Sequence, residues 1–158
     1  MARARPIAGL TADTTFGDAA AAAVETRSRE VFAYAQRVRE RGSAEDVHDM
    51  RVATRRLRAA LEVFASCFPR KRHRQALKDV KRLASALGAR READVAVERL
   101  HELEQAFHDA DRAGLRSLLT AVEAERADGD EQVAAALAEA EQSGLEERLL
   151  ELAGRARR

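Results

Sequence analysis

A run of residues with helical spacing constrains the fold of this chain more than any other feature. An α-helix advances about 100° per residue, so positions three and four apart share one side. The basic residues with this spacing are His48, Arg51, Arg55 and Arg58. The residues with it on the opposite side are Val47, Met50, Thr54, Leu57, Leu61 and Phe64. The pattern predicts an amphipathic helix that packs into a core and presents guanidinium groups outward.

The composition extends the helical prediction to the whole chain. Its 158 residues are 46% hydrophobic and 35% charged, which suffices for one ordinary domain with its own core. Alanine, leucine, arginine and glutamate, all strong helix formers, dominate, and only Pro6 and Pro69 interrupt the chain. Strand-like alternation of useful length does not occur. The predicted fold class is therefore all-α, as an antiparallel helical bundle.

Capping residues, prolines and glycines predict about seven helical segments. The first spans about residues 18–41, and Ser43 with Asp46 predicts a capping box at the start of the second. Phe68 and Pro69 are expected to end the second segment and begin the third. Further breaks are predicted at Leu87-Gly88, Ala113-Gly114, Asp128-Gly129 and Ser143-Gly144, and the fourth segment is expected over about Glu92–Asp109.

Other features predict the organisation and location of the protein. Residues 1–17 are expected to form a flexible N-terminal segment, and residues 18–158 a single helical domain. The single cysteine, Cys67, excludes an intramolecular disulfide, fits a reducing compartment and is expected to be a small buried apolar residue. No apolar run approaches the roughly 20 residues of a membrane span, and residues 1–10 lack the apolar region of a secretory signal. We therefore expect a cytoplasmic protein that does not enter a membrane.

Charge is distributed unevenly along the chain although the net charge is only +1. Residues 51–91 contain thirteen Lys or Arg and only two acids, Glu62 and Asp79, whereas residues 92–158 contain seventeen acids and eight bases. In the third predicted helix, four basic residues fall within about 80° of Arg74. They are Lys71, Lys78, Lys81 and Arg82. Two consecutive basic helices joined by a short loop would form a groove if their basic stripes face the same way.

Such a groove suits a polyanion. Arginine offers a planar fork of donors to phosphate oxygens, lysine supplies a point charge, and a protonated histidine adds a donor. A charged helix face is most often only solvated, but here the acids that usually interleave such faces are nearly absent. The candidate binding residues are His48, Arg51, Arg55 and Arg58 on the second helix, Arg74, Lys78, Lys81 and Arg82 on the third, and Arg91 at the start of the fourth, with Arg56 and Lys71 at the rim.

Two segments of the chain resemble motifs of a known family. Residues 47–61, Val-His-Asp-Met-Arg-Val-Ala-Thr-Arg-Arg-Leu-Arg-Ala-Ala-Leu, resemble the signature helix of the CHAD domain, the conserved histidine α-helical domain. Leu87-Gly88 followed by Arg91-Glu92-Ala93-Asp94-Val95 resembles its second motif, although Glu92 stands where the family usually has aspartate. The resemblance implies an all-helical protein that binds inorganic polyphosphate through a basic surface and is often found with polyphosphate granules.

The resemblance covers one half of such a domain. CHAD domains are commonly about twice as long and contain two similar bundles related by a pseudo-twofold axis, each with a His-x-x-Arg helix. Here His73, His101 and His108 are not followed by an arginine ladder. The expected fold is thus a bundle equivalent to one half of a CHAD domain. We expect a homodimer in which a twofold axis joins two basic stripes into one longer groove.

Metal-binding and catalytic alternatives have weaker support in the sequence. Glu98 and His101 have the Glu-x-x-His spacing of di-metal bundles, continued by Glu104 and His108, but a second Glu-x-x-His is missing and a solvated acidic face is preferred. The arginines around His48 would also repel a divalent cation. The candidate nucleophiles Ser43, Ser66, Ser85 and Cys67 have no nearby motif partner, and no phosphate-binding loop occurs. We expect a binding protein with no catalytic residues, metal or cofactor.

Nucleic acid is the main alternative ligand, and an acidic protein bound by a scaffold is another. A pair of basic helices could contact the phosphates of DNA or RNA. However, Tyr34 is the only tyrosine, the phenylalanines fit apolar faces, and no nucleic-acid-binding motif is present. Polyphosphate is therefore the preferred ligand. Salt dependence would not distinguish the two polyanions, because both release counterions, whereas direct competition would.

Overall fold

Helices form nearly all of the part of the chain that the computed structural model describes, residues 3–108 and 112–156. These helices are α1 (Phe16–Glu40), α2 (Ala44–Val63), α3 (Arg70–Ala106), α4 (Arg112–Gln142) and α5 (Leu145–Gly154), with a short 3₁₀ helix (Ala65–Cys67) after α2. No strand occurs within the described ranges, so the predicted all-α class is confirmed. Within those ranges, no helix combines the length and the apolar character that crossing a membrane requires.

The predicted starts of the first three helices agree with the structure to within two residues. Ser43 caps α2 because its hydroxyl accepts a hydrogen bond from the backbone N–H of Asp46 at 3.1 Å and donates to the Asp46 carboxylate at 2.6 Å. Thr15 caps α1 in the same way, and α1 begins at Phe16, two positions before the expected boundary. Pro69 stands immediately before α3, where its fixed backbone angle is compatible with a helix start.

Most of the predicted glycine breaks are wrong. Gly88, Gly114 and Gly129 lie inside helices, so the predicted third and fourth segments are one helix, α3, and two of the later predicted segments are one helix, α4. A glycine inside a helix costs only about 1 kcal/mol relative to alanine, which tertiary packing offsets. Gly42 and Gly144, with positive φ values of 58° and 59°, lie between helices. Asp109, the expected end of the fourth segment, lies outside the described residues.

Gly129 allows α3 and α4 to approach each other closely. A Cβ atom at this position would lie 3.1 Å from Cδ and 3.2 Å from Cα of Arg90. Such distances are tighter than ordinary van der Waals contact, so a side chain there would push the helices apart. The glycine that the sequence suggested as a helix end is therefore a point of helix–helix contact.

Consecutive helices pack against each other, and α5 returns to contact α1. Ion pairs fix the antiparallel register of α3 and α4. These pairs are Arg82–Glu139, Arg90–Asp130 and Glu104–Arg116. All five helices contribute to one apolar core. Cys67 is buried in that core, as predicted.

The outer part of the α3–α4 hairpin extends beyond the core. We call residues 101–108 and 112–128 the hairpin tip, and none of them is buried. Three large apolar side chains of the tip are exposed: Leu103 at 45%, Phe107 at 43% and Leu118 at 51%. The tip therefore presents apolar surface that the described part of the chain leaves uncovered.

The segment before α1 is attached to that helix through Glu30. The backbone N–H of Arg5 donates to the Glu30 carboxylate, which is 2% exposed. Arg27 bridges both partners, with Nη1 2.9 Å from the carbonyl oxygen of Arg5 and 2.6 Å from Glu30 Oε2. The flexibility of residues 1–17 and the boundary of the helical domain remain predictions, and residues 1–2 and 157–158 lie outside the described residues.

Candidate functional site

Helix α2 separates its basic residues from its apolar ones as the spacing predicts. His48 and Arg51 are half-buried, and Arg55 and Arg58 are exposed. The buried residues on the opposite side of the helix include Val47, Met50, Leu57 and Leu61. The apolar side fixes the orientation of the helix in the bundle, so the basic side has to face outward.

Helix α3 presents a second row of cations. Arg74, Lys78 and Lys81 are exposed, and Lys71 is exposed one turn before them. The buried side of the same part of α3 consists of Ala76, Val80, Leu83 and Leu87. Because α2 and α3 pack against each other, the two rows belong to neighbouring helices.

Two sets of contacts bring the rows together. Near one end, Glu62 Oε1 lies 3.3 Å from Arg58 Nε and 3.3 Å from Lys81 Nζ, so one carboxylate joins α2 to α3. Near the other end, His48 and Arg91 line the same cavity. We call the row on α2, the α3 residues Arg74, Lys78 and Lys81, and Arg91 together the basic surface. They are His48, Arg51, Arg55, Arg58, Arg74, Lys78, Lys81 and Arg91.

Three predicted site residues lie apart from the basic surface. Arg82 pairs with Glu139 on α4. Arg56 is half-buried and lies about 140° around α2 from Arg51. Lys71 is exposed at the start of α3, beyond the end of α2. Arg82 is within about 80° of Arg74 around the helix, yet its side chain contacts α4.

A cavity of about 490 Å³ lies where α2, α3 and α4 meet, and we call it the His48 cavity. Arg126 of α4 belongs to its lining and was not predicted from the sequence. Its only local signal is a single cation within an acidic stretch, so the fold alone reveals its position. The complete lining is Ala44, Glu45, His48, Arg91, Asp94, Val97, Glu98 and Arg126.

A buried ion cluster lies next to this cavity. Arg90 is 3% exposed and forms ion pairs with Asp94, one turn later on α3, and with Asp130 on α4. Burial alone would lower the pKa of Arg90, but the hydrogen bonds and negative charges of Asp94 and Asp130 outweigh it and raise the pKa above the ordinary arginine value. Arg90 therefore stays charged and holds α3 against α4.

The residues of the metal alternative are dispersed. Glu98 lines the His48 cavity, whereas His101 Nδ1 lies 3.9 Å from Glu104 on the hairpin tip. Within residues 3–108 and 112–156, no three His, Cys, Asp or Glu side chains come close enough together to hold a metal ion. His73 has a structural position instead, buried with Nε2 2.8 Å from the carbonyl oxygen of Leu61.

Comparison with known protein families identifies one whose model matches this chain. The family model described as the CHAD domain matches residues 22–158, which is most of the chain. A search among curated proteins found no match. The matched range includes both rows of the basic surface, the His48 cavity and the hairpin tip.

Proposed function

Because the chain belongs to the CHAD domain family, we propose that it binds inorganic polyphosphate at the basic surface and does not catalyse its turnover. The family is associated with polyphosphate binding and is generally non-catalytic. A cytoplasmic location, with recruitment to polyphosphate granules, is part of the same proposal. The observation that supports it most directly is that Arg51, Arg55, Arg74 and Lys78 form no ion pair with a described residue.

Several arginines outside the basic surface have carboxylate partners. Arginines on α1, α4 and α5 form such pairs: Arg29–Glu25, Arg116–Glu104 and Arg148–Asp79. By contrast, Arg51, Arg55, Arg74 and Lys78 form no ion pair with any described residue. Glu62 pairs with two other cations of the surface, Arg58 and Lys81. Neighbouring unpaired cations repel each other, and a bound polyanion would remove that repulsion.

Polyphosphate fits this surface because every unit of the chain carries negative charge. The row from Arg51 to Arg58 is about 10 Å long, since a helix rises about 1.5 Å per residue. Guanidinium groups at each turn can bind successive phosphates bidentately, while the lysines of α3 add charge from the other side. This arrangement recognises a repeated anion, not one particular group.

A double variant tests the proposal. Arg51→Ala/Arg55→Ala should weaken polyphosphate binding by about a hundredfold, because each lost charge-assisted contact is worth about 1.4 kcal/mol. Helicity and thermal stability should change little, since both side chains point outward. The matched control is Arg29→Ala/Arg99→Ala, which removes the same charge from exposed positions elsewhere. Equal losses in both double variants would contradict binding at the basic surface.

Competition separates polyphosphate from nucleic acid. The residues of the basic surface include no Phe, Tyr or Trp, and Tyr34 lies on α1 with its ring 5.5 Å from the Arg37 guanidinium carbon. Base stacking, the usual contribution to single-strand binding, therefore has no platform there. Long-chain polyphosphate should displace DNA or RNA at matched phosphate concentration. A failure to displace either would favour the nucleic-acid alternative.

We also propose a homodimer that forms through the hairpin tip. Its exposed Leu103, Phe107 and Leu118 are large apolar side chains, and exposed apolar surface often marks an interface in soluble proteins. A second copy is the occupant that would place two basic surfaces in one assembly, with a shared polyphosphate chain across both.

Sedimentation or light scattering tests this dimer. Leu118→Asp should give a monomer at micromolar concentration, because it places charge on the apolar surface of the hairpin tip. Val63→Asp is the matched control, since Val63 is 67% exposed and lies at the end of α2. A wild-type monomer, or a dimer unaffected by Leu118→Asp, would contradict assembly through the hairpin tip.

A further inference from the structure

The His48 cavity differs from the rest of the basic surface because it contains acids as well as cations. Its cationic groups are Arg91, Arg126 and, when protonated, His48, and its acids are Glu45, Asp94 and Glu98. Interior units of a polyphosphate chain have only acceptor oxygens, so these acids would repel them. A ligand that suits the whole cavity has to offer a donor as well as negative charge.

Two buried atoms in the lining have no hydrogen-bond partner among the described residues. They are Nδ1 of His48 and Oδ2 of Asp94. Asp94 is 5% exposed, and its other oxygen pairs with Arg90. A buried carboxylate oxygen without a donor is costly, and such an atom in a functional region calls for an explanation. A hydrogen-bond donor on a bound ligand would satisfy Oδ2 of Asp94 and so explain its position.

We propose that the His48 cavity binds the terminal phosphate of a polyphosphate chain, which rests on the proposed function of the basic surface. A terminal phosphate has a second ionisation near neutral pH, with a pKa of about 6 in phosphate monoesters, whereas an interior unit has none. The terminal group therefore carries a hydroxyl for part of the time. That hydroxyl can donate to Asp94 while the remaining oxygens accept from Arg91, Arg126 and His48.

The ion cluster behind the cavity allows Asp94 to take part. Arg90 has two carboxylate partners, Asp94 and Asp130. If Asp94 turns toward a ligand, Arg90 keeps its contact with Asp130, so the buried guanidinium is not left unpaired. The rearrangement is confined to one side chain and leaves the α3–α4 contact in place.

The location of the cavity also suits a chain end. His48 is the first residue of the α2 row, and Arg91 faces it from α3 across the cavity. A chain that lies along Arg58, Arg55 and Arg51 would continue into the cavity at the start of α2. The negative charges of Glu45 and Glu98 would repel interior units of the chain, so the chain would end in the cavity.

Two polyphosphates of equal length test the proposal, one with free ends and one with both terminal phosphates blocked as alkyl esters. Blocking removes the terminal hydroxyl but leaves the interior units unchanged. The wild-type protein should bind the free-ended chain about tenfold more tightly, the factor that corresponds to about 1.4 kcal/mol for one charge-assisted hydrogen bond. Equal affinities would overturn the chain-end site and leave the proposed function standing. Binding of neither chain would instead overturn the proposed function.

Variants locate the preference. Arg126→Gln should bind both chains equally, because it removes a cavity cation that forms no ion pair with a described residue, while the blocked chain keeps its wild-type affinity. Arg99→Gln, an exposed arginine later in α3 than the cavity, should keep the preference. A preference unchanged in Arg126→Gln would overturn the assignment to this cavity.

Orthophosphate distinguishes a chain-end site from a site for free phosphate. At a concentration equal to that of the terminal groups, it should leave the preference for the free-ended chain unchanged, because it lacks the contacts along the basic surface. If orthophosphate abolishes the preference at that concentration, the cavity is a free-phosphate site and the proposal is overturned.

Discussion

Arg90 and the arginines of the basic surface place the same chemical group in opposite surroundings. Arg90 is 3% exposed and has two carboxylate partners on two helices. Arg51 and Arg55, on the neighbouring helix, form no ion pair with a described residue. A buried charge has to be neutralised within the fold, because leaving it alone costs several kcal/mol, whereas a solvated charge can remain available to a ligand.

Charges that stabilise the fold and charges that are available to a ligand therefore lie within about one helix length of each other. Positive charge between α3 and α4 holds the bundle together, and positive charge on the outer sides of α2 and α3 does not. Substitutions in the first region should therefore change the free energy of unfolding, and substitutions in the second should change affinity. The following changes test that division, beginning with the largest expected effect.

Arg90→Ala should be the most destabilising of these changes. It leaves Asp94 buried without its partner, and the loss of one member of a buried pair costs on the order of 3 kcal/mol. Chemical denaturation measures the change, with Arg55→Ala as a control expected to stay within about 0.5 kcal/mol of wild type. If Arg90→Ala lowers the free energy of unfolding by less than about 1 kcal/mol, Arg90 does not differ from the surface arginines as expected.

The same variant has an expected pH dependence. Because the pKa of Arg90 is raised in the folded state, its contribution is present at every pH below the ordinary arginine pKa and is lost only in strong alkali. The difference between Arg90→Ala and wild type should therefore be constant from roughly pH 6 to pH 9. A difference that changes across this window would indicate that another group controls the cluster.

Gly129→Ala should destabilise the protein by about 1 to 2 kcal/mol, as overpacking of a tight contact does. The added Cβ would lie 3.2 Å from Cα of Arg90, a backbone atom that cannot move without shifting α3. Gly88→Ala is the matched control, because nothing lies within 4 Å of a Cβ there. That change should stabilise α3 by up to about 1 kcal/mol. Thermal unfolding measures both changes in stability, and a change of the same sign in the two variants would contradict the prediction.

Glu62→Gln should have the smallest effect on stability and should raise affinity. Glu62 pairs with Arg58 and Lys81 at exposed positions, where such pairs contribute at most about 1 kcal/mol. Removing its charge releases both cations, so polyphosphate binding should strengthen by about threefold. Glu151→Gln, which releases the exposed Arg72 outside the surface, is the control. Weaker binding of Glu62→Gln would show that the carboxylate positions the cations.

Local patterns predicted the helices well but not their breaks. Ser43 and Pro69 act at the ends of helices through their own backbone and side chain, so their effect is visible in the sequence. Glycine has no such single meaning. Gly144 adopts a positive φ, Gly129 admits a neighbouring helix, and Gly88 does neither. Only the packing of α3 against α4 distinguishes them.

The two helices of the candidate site could likewise be predicted, whereas the cavity could not. Periodicity identified the rows on α2 and α3 because each row depends on one helix alone. Arg126 is far from His48 in sequence and reaches the same cavity only through the fold. Arg82 shows the converse, because its angular position fits the row on α3 while its guanidinium pairs with Glu139 on α4.

The contact between α5 and α1 bears on how the chain folds during synthesis. Leu145, Leu149 and Leu152 of α5 are buried, and α5 packs against α1, the first of these five helices to be synthesised. The other helices mainly contact their neighbours in sequence and can associate as they emerge. One face of α1 therefore stays uncovered until α5 has been synthesised. During that interval the exposed apolar surface makes the nascent chain prone to aggregation.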